Sequence, residues 1–545
     1  MPPHGGFISR AGSSENKRSY IMRITNRIMQ RNNLSNINTN KMYQDRLSTQ
    51  MSSQKKINRP SDDPVVAIRA LRLRSNVTEI TQYYSKNIPD AERWLKVTED
   101  AISNLSQIMT TMIARCEKGV DSYLTTENRQ IILEEMQNLG KEVYATGDAD
   151  YAGRYVFTGY RTDTSLSFLE AKTQNYTITE QLDKNAIDSV SKVETDKLLD
   201  INSTSYMDPA MDVNEDDIFS AEVHRIRLAY NDCSDNGNPP VIEYMDENGN
   251  VQKWDTQIEM MHSYDKSTGD PSLNPYAYVA QNEEAIVYIP ETGELLLGSK
   301  RYETLMATKD SEGTSGINEA EIRVTYDKSN WVKGDLRPEH YFYCKADKED
   351  KSGDRITYNE NYLNHGAEHQ VIEYDVGFNQ TIRINSTADE CFKHGVGREV
   401  DDIVSAMQDV LDLEGVKTDI EGIIKSTTKE DELDTLQKQL DAVNKALTFA
   451  KKKEQDLFQH GITKFQGYLD DANLCVTNCG SRRSKLELIQ NRTQNQKTTY
   501  ETLKSENEDI DITEVAIQLN AAELTYDAAL MAAGKVMQTT LLNFI

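Results

Sequence analysis

The residues closest to a catalytic constellation in this 545-residue chain are His365-Gly-Ala-Glu-His369. The H-x-x-E-H spacing is that of inverted zinc peptidases, where two imidazoles on one helical face hold the metal and the glutamate polarises a metal-bound water. The surroundings argue against it. "NYLNHGAEHQVIEYDVGF" reads as a loop leading into a strand, and Gly366 would sit inside the required helix. Polar loop histidines are the preferred reading. Cys475-x3-Cys479 has no matching second pair, and the six cysteines (Cys116, Cys233, Cys344, Cys391, Cys475, Cys479) show no repeated spacing. That pattern fits neither a zinc site nor a disulfide framework, so they are read as mostly buried small hydrophobes. Phosphate loops, dinucleotide turns and G-x-S-x-G elbows are missing from the sequence. No enzyme activity, cofactor or metal is expected.

A second cluster has chemistry of a conformational kind. Asn58, Arg59, Pro60, Ser61, Asp62, Asp63 and Pro64 separate a polar, basic run from "VVAIRALRLRS". Asp63 can accept from free amide N–H groups as an N-cap, while Pro64 fills the first helical position, where no donor is needed. Asp62 adds negative charge at the positive end of that helix, and Pro60 keeps Arg59 out of helical geometry. The motif predicts a corner between two helices.

Lys and Arg total 61 against 88 Asp and Glu, for a net charge of −27. That balance opposes general nucleic-acid binding. Between residues 22 and 75, however, eleven basic residues face three acids, so this segment carries +8 and the remainder −35. A basic end on an acidic chain suits self-assembly. No run of 18 apolar residues occurs, so no membrane span is expected. The stretch "MPPHGGFISRAGSSENKRSYI" has no apolar signal-peptide core; it reads as a disordered leader or upstream extension, with Met22 as the functional start.

The two ends are helical and the middle is not. Leu95, Thr98, Ile102, Leu105, Met109, Met112 and Cys116 alternate three- and four-residue steps, and Ile132, Met136, Leu139 and Val143 continue after a break near Gly119. At the far end Ile512, Val515, Leu519, Ala522, Tyr526, Ala529, Ala533 and Val536 keep a strict heptad seam of coiled-coil grade. Leu524, Leu530, Met531, Met537, Leu541, Leu542 and Phe544 lie off it, so this helix is apolar around most of its girth and needs more than one partner. Between about 160 and 400, "NYTIT", "PPVIEYM", "AIVYI", "ELLLGS", "AEIRVTY", "HYFYCKA" and "QTIRINST" read as strands, with hairpin turns at 247–250 and 291–294. Leu433, Leu436, Leu440, Val443 and Leu447 then mark one face of a charged helix. The simplest arrangement pairs the two ends and lets the middle project.

"MRITNRIM", "INRPSDDPVVAIRALRLRS" and "GRYVFTGY" (Gly153, Arg154, Tyr155, Val156, Phe157, Thr158, Gly159 and onward) together resemble the amino-terminal region of the hook-associated protein 3 family of bacterial flagella. "DVGFNQTIRINSTADECF" is similar to that family's return from its outer domain, and the last 43 residues to its terminal helix. The corner is shared with flagellin, while the Gly-Arg-Tyr-Val-Phe-Thr-Gly stretch favours the junction protein. The resemblance covers 22 to about 160 and 375 to 545. The middle is longer than in compact members, and 415–453 has no counterpart.

The resemblance implies an α+β, elongated, flagellin-like protein with paired N- and C-terminal helical coiled-coil segments and an inserted β-rich outer domain. The expected division is a leader at 1–21, an N-terminal helical segment at 22–160, the β-rich insert at 161–400 and a C-terminal helical segment at 401–545. It further implies a structural role at the hook–filament junction, export by the flagellar type III apparatus to the extracellular flagellum, and self-assembly into an axial ring. The implied partners are another hook-associated junction protein, flagellin and an export chaperone, with no nucleic acid or membrane. A filament or minor flagellin is the alternative, and a metalloprotease or a lectin-like insert a reading from another class.

Overall fold

The computed structural model describes residues 26–121, 124–193, 196–218, 220–234, 238–246, 248, 250–262, 274–307, 322–349, 353, 355–363 and 370–541. The leader, "MRIT", the His365–His369 motif and part of the 247–250 turn therefore lie outside the described residues, as does the side chain of Val536. The helices are α1 (Asn26–Ser53), α2 (Pro64–Gln82), α3 (Ile88–Gly119), α4 (Thr126–Gly147), α5 (Asp196–Leu199), α6 (Pro275–Gln281), α7 (Ser299–Met306), α8 (Ala388–Cys391), α9 (Gly395–Ser426), α10 (Glu430–Glu508) and α11 (Ile512–Leu541). A single π-helical turn, Tyr83–Asn87, precedes α3. The fold class is α+β, with long helices at both ends and a β-rich middle. The chain divides into two compact units, one built from 83–491 and the other from the two ends, up to 82 and from 492 onward.

In the first unit, the seam read from α3 is buried throughout, including Thr98, whose hydroxyl donates to the Trp94 carbonyl at 2.9 Å. A buried hydroxyl tolerates that position because its hydrogen bond is made within its own helix. Thr125 caps α4 by accepting from the Asn128 amide. The apolar faces of α3, α4, α9 and α10 share one core with the sheets, connected through Val156, Phe157, Leu166 and Phe168.

Strands β1 (Asp150–Tyr151) and β2 (Arg154–Tyr155) form a short hairpin. A six-stranded antiparallel sheet follows the order β13-β12-β3-β11-β6-β7, from β3 (Lys172–Leu182), β6 (Val241–Met245), β7 (Val251–Trp254), β11 (Ile322–Trp331), β12 (Tyr343–Glu349) and β13 (Arg355–Tyr358). A five-stranded sheet runs β4-β5-β10-β9-β8, from β4 (Ile187–Val193), β5 (Ser220–Arg227), β8 (Ile258–Met260), β9 (Ile286–Ile289) and β10 (Glu294–Leu297), with β8 and β9 parallel. Strands β14 (Glu373–Gly377) and β15 (Gln380–Arg383) form a last hairpin.

Helices α9 and α10 form a helical hairpin with its own core. Val410, Leu413 and Ile420 of α9 meet Leu436, Val443 and Leu447 of α10, and Val193, Leu198, Ile201, Val213 and Ile218 cover them. Buried Gln439 donates to the carbonyls of Tyr206 and Met211, both at 2.8 Å, which fixes the covering loop. Arg129 of α4 ties the base of this hairpin, bonding both Glu454 oxygens at 2.7 and 3.1 Å and Glu414 at 3.3 Å.

Candidate assembly site

The proline corner is held by two carboxylates with separate tasks. Asp63 Oδ1 accepts from the amides of Val65 (3.0 Å) and Val66 (3.1 Å), and the Asp63 carbonyl takes the first helical bond from Ala67, so α2 starts at Pro64. Asp62 does something its position alone did not reveal. Its Oδ2 turns back to the amides of Asn58 (3.2 Å) and Arg59 (2.9 Å), satisfying donors that the helix break leaves open.

A second corner lies beside the first. The chain breaks between α10 and α11, and Asp511 caps α11 by accepting from Thr513 (2.9 Å) and Glu514 (3.2 Å). Between the two corners the Lys56 amide donates to the Glu508 carbonyl at 2.7 Å and the Ile510 amide to the Gln54 carbonyl at 3.2 Å. Arg74 grips Glu508 through two bonds, 2.6 and 2.8 Å, Lys55 pairs with Asp509, and Asn507 donates to the Val66 carbonyl. The partners of this basic segment are thus the acids of "SENEDIDIT". Sequence reasoning missed them, though the acidic run at a helix break was the available signal.

Hydrogen bonds from Arg74 hold the Glu508 carboxyl below its ordinary range, and the bond from Lys55 does the same for Asp509. A carboxylate whose pKa is depressed on folding stabilises the fold above its unfolded pKa, about 4, and loses that contribution as pH falls through the lower folded value. The protection factors of the Lys56 and Ile510 amides, measured against their intrinsic exchange rates at each pH, are therefore expected to fall below about pH 4. Glu508→Gln is expected to weaken the corner by about 1 kcal/mol at neutral pH, modest because the Arg74 side chain is 55% exposed, and to blunt the acid step. An unchanged acid profile in that variant would remove Glu508 from the lock.

From this corner α1 and α11 run antiparallel: Lys55 bridges to Asp509, and Tyr43 donates to Gln518 at 3.5 Å. Leu47 packs with Val515 and Ala522, flanked by Met51, Ile510 and Leu519. Of the heptad series, Val515 and Ala522 are buried, Leu519, Tyr526, Ala529 and Ala533 half-buried, and Ile512 exposed. The seam thus faces α1 from Val515 onward, whereas Ile512 belongs to the first turn after the break. The other faces stay open: Ile517, Leu524, Leu530 and Met531 on α11, Leu34 and Met42 on α1, and Val65, Ile68 and Leu71 on α2 are all exposed.

The Gly153–Gly159 stretch is built at the neck of the β-rich region. Ala152 and Gly153 both take positive φ (53° and 75°), the two-residue turn that a tight hairpin needs. Arg154 then stacks 4.8 Å above the Trp94 ring and donates to the Tyr374 hydroxyl at 3.2 Å, while Asp90 accepts from Tyr151 and Tyr374 at 2.8 Å each. Val156, Phe157 and Thr158 are buried; Phe157 meets Phe392 edge-on at 4.7 Å, and its carbonyl accepts from the Ala388 amide. Gly159 has φ +60°, and a Cβ there would come within 2.2 Å of Gln370 Oε1, which accepts from the Tyr160 amide. The outgoing strand and the return segment 370–392 are therefore clasped together. Among the described residues no group of three metal-ligating side chains occurs, and no helix is long and apolar enough to cross a membrane.

Residues 24–162 match the bacterial flagellin N-terminal helical region. The chain is similar to flagellar hook-associated protein 3 of Escherichia coli, 28% identical over 207 residues covering 36% of this chain and 64% of that one. It is also similar to its namesake from Salmonella typhimurium, 25% identical over 145 residues covering 26% and 45%. The matches thus span about half to two thirds of these curated relatives. Among solved structures, a putative flagellar hook-associated protein from Vibrio parahaemolyticus aligns over 82% of this chain and 100% of its own at 12% identity and TM-score 0.32. Hook-associated protein 3 from Legionella pneumophila aligns over 80% and 97% at 9% identity and TM-score 0.30.

Proposed function

We propose that this chain is a structural, non-enzymatic subunit of the bacterial flagellar axis at the hook–filament junction, where it links hook to filament and gives flagellin a platform. The observation that carries the reading is the relationship to hook-associated protein 3, with the flagellin-type region holding the proline corner. The geometry supports it. An α1–α11 pair covers only one stripe of each helix, so the exposed apolar residues of α1, α2 and α11 would be buried by neighbouring copies in a tubular wall. The corner would set the angle at which each copy enters that wall. On this reading the chain reaches the extracellular flagellum through the type III apparatus, guarded by an export chaperone, and meets flagellin on one side and another hook-associated protein on the other.

Deleting the gene in its native host tests this. Hooks without filaments, with flagellin lost to the medium, are expected by electron microscopy and gel analysis of the supernatant. Attached filaments of normal length would overturn the junction role, and this chain as the major filament band of wild-type flagella would make it a flagellin.

A further inference from the structure

In β3 the alternating residues Tyr176, Ile178 and Glu180 turn to the core, and all three are buried, Glu180 to 1% exposure. A strand that alternates in this way should carry an apolar side chain at the third position. The surroundings are made for one. Val324 of β11 lies directly opposite Glu180, with Ile242 of β6 beyond it, and Tyr326 faces Ile178; each of these is buried as well. A carboxyl group placed there gives up its hydration, and no salt bridge to Glu180 is made among the described residues.

One of its oxygens is well held and the other is not. Glu180 Oε1 accepts from the Tyr326 hydroxyl and, at 2.8 Å, from the Ala229 amide. Oε2 has no hydrogen-bond partner among the described residues. Ala229 lies just past the end of β5, so this carboxyl ties the six-stranded sheet to the chain leaving the five-stranded one. The titratable groups around it are Tyr230 and Cys233 in that departing chain, Tyr326 on β11 and Tyr362 in the Glu360–Leu363 turn. The cation acting on it, Arg398 of α9, donates instead to the Thr292 carbonyl at 2.7 Å. Burial pushes the Glu180 carboxyl up to about 7, although both hydrogen bonds and the Arg398 guanidinium pull it down. The neutral acid suits this apolar face and the carboxylate does not.

We propose that Glu180 is a proton-operated fastener between the two sheets: protonated, it keeps the chain after β5 seated on β3, and ionised in mildly alkaline solution it opens that joint to water. A carboxyl with a raised folded value keeps its proton in the fold at pH values where the unfolded chain has released it. Its contribution is fully present below the unfolded value, about 4, and is lost as pH rises to the folded one. The direction is opposite to that of the corner, whose carboxylates fail in acid. The fastener works whether or not the chain stands at the junction.

Denaturant unfolding of the full chain and of Glu180→Gln, followed by fluorescence of the buried tryptophans across neutral pH, tests the linkage. The ratio of unfolding constants, wild type over variant, is expected to rise about tenfold per pH unit between about pH 5 and about pH 6.5 and to level off above about pH 7. A ratio that is flat, or that stops rising below about pH 5, would overturn the proposal. Hydrogen exchange of the Ala229 amide in the wild-type chain tests the opening without any variant. Its protection factor, taken against the intrinsic rate at each pH, is expected to fall at least tenfold between about pH 6 and about pH 8. Constant protection would mean that the carboxylate ionises inside a closed joint, and the fastener would be ruled out.

Discussion

Ala522→Asp is expected to separate α1 from α11 in the isolated chain, and Leu524→Asp to leave that pairing intact while blocking incorporation into flagella. The two positions lie two residues apart on one helix and differ in what faces them. Ala522 packs on Leu47 in a core of only three buried residues and three flanking ones, whereas Leu524 is 74% exposed. An unpaired carboxylate in so small a core costs several kcal/mol, more than its few apolar contacts can offset. At Leu524 the same carboxylate stays in water in the isolated chain and, on the proposed assembly, would be buried only when a second copy covers it. Hydrogen exchange across residues 26–53 reads the first effect, and motility after complementation of the deletion strain reads the second. If Leu524→Asp swims normally, the outer face of α11 is not an interface, and the apolar girth of this helix needs another explanation.

How much of this was legible in the sequence depended on the range of the signal. The α3 seam and the α11 heptads follow from local periodicity, and the Asp63–Pro64 cap from chemistry within a few residues, so each could be read directly. The pairing of the two ends could be inferred because a stripe that apolar needs a partner. The register of that pairing could not, since it is set by Lys55, Arg74, Glu508 and Asp509, residues more than 400 positions apart that look like ordinary surface charges. The same holds for Asp62, whose carboxylate serves the loop before it and not the helix after it. In the β-rich region, β4 and β5 escaped notice because their polar faces dilute the apolar alternation, and the helical hairpin of α9 and α10 showed its stripe without revealing that 193–218 would cover it.

Buried ion pairs are the extreme of this illegibility, and one of them should dominate the stability of 83–491. Glu454→Ala is expected to destabilise this unit by about 3 kcal/mol. Arg129 and Glu454 are 3% and 4% exposed, so removing the carboxylate strands a guanidinium in a dry site. The effect sits at the lower end of what such losses cost, because Glu414 remains within 3.3 Å of Arg129, although Lys451 and the Thr126 hydroxyl also compete for it. All three tryptophans, Trp94, Trp254 and Trp331, lie in this unit and are buried, so their fluorescence during denaturant unfolding reports on it alone. A double replacement, Arg129→Met with Glu454→Leu, removes both charges at similar volume and is expected to recover most of the loss. Recovery would mean that the pair chiefly fixes how α4 meets the hairpin and adds little net stability. If the double variant stayed as weak as Glu454→Ala, the hydrogen bonds themselves would be holding the hairpin base, and a loss under 1 kcal/mol in the single variant would mean that the site admits water.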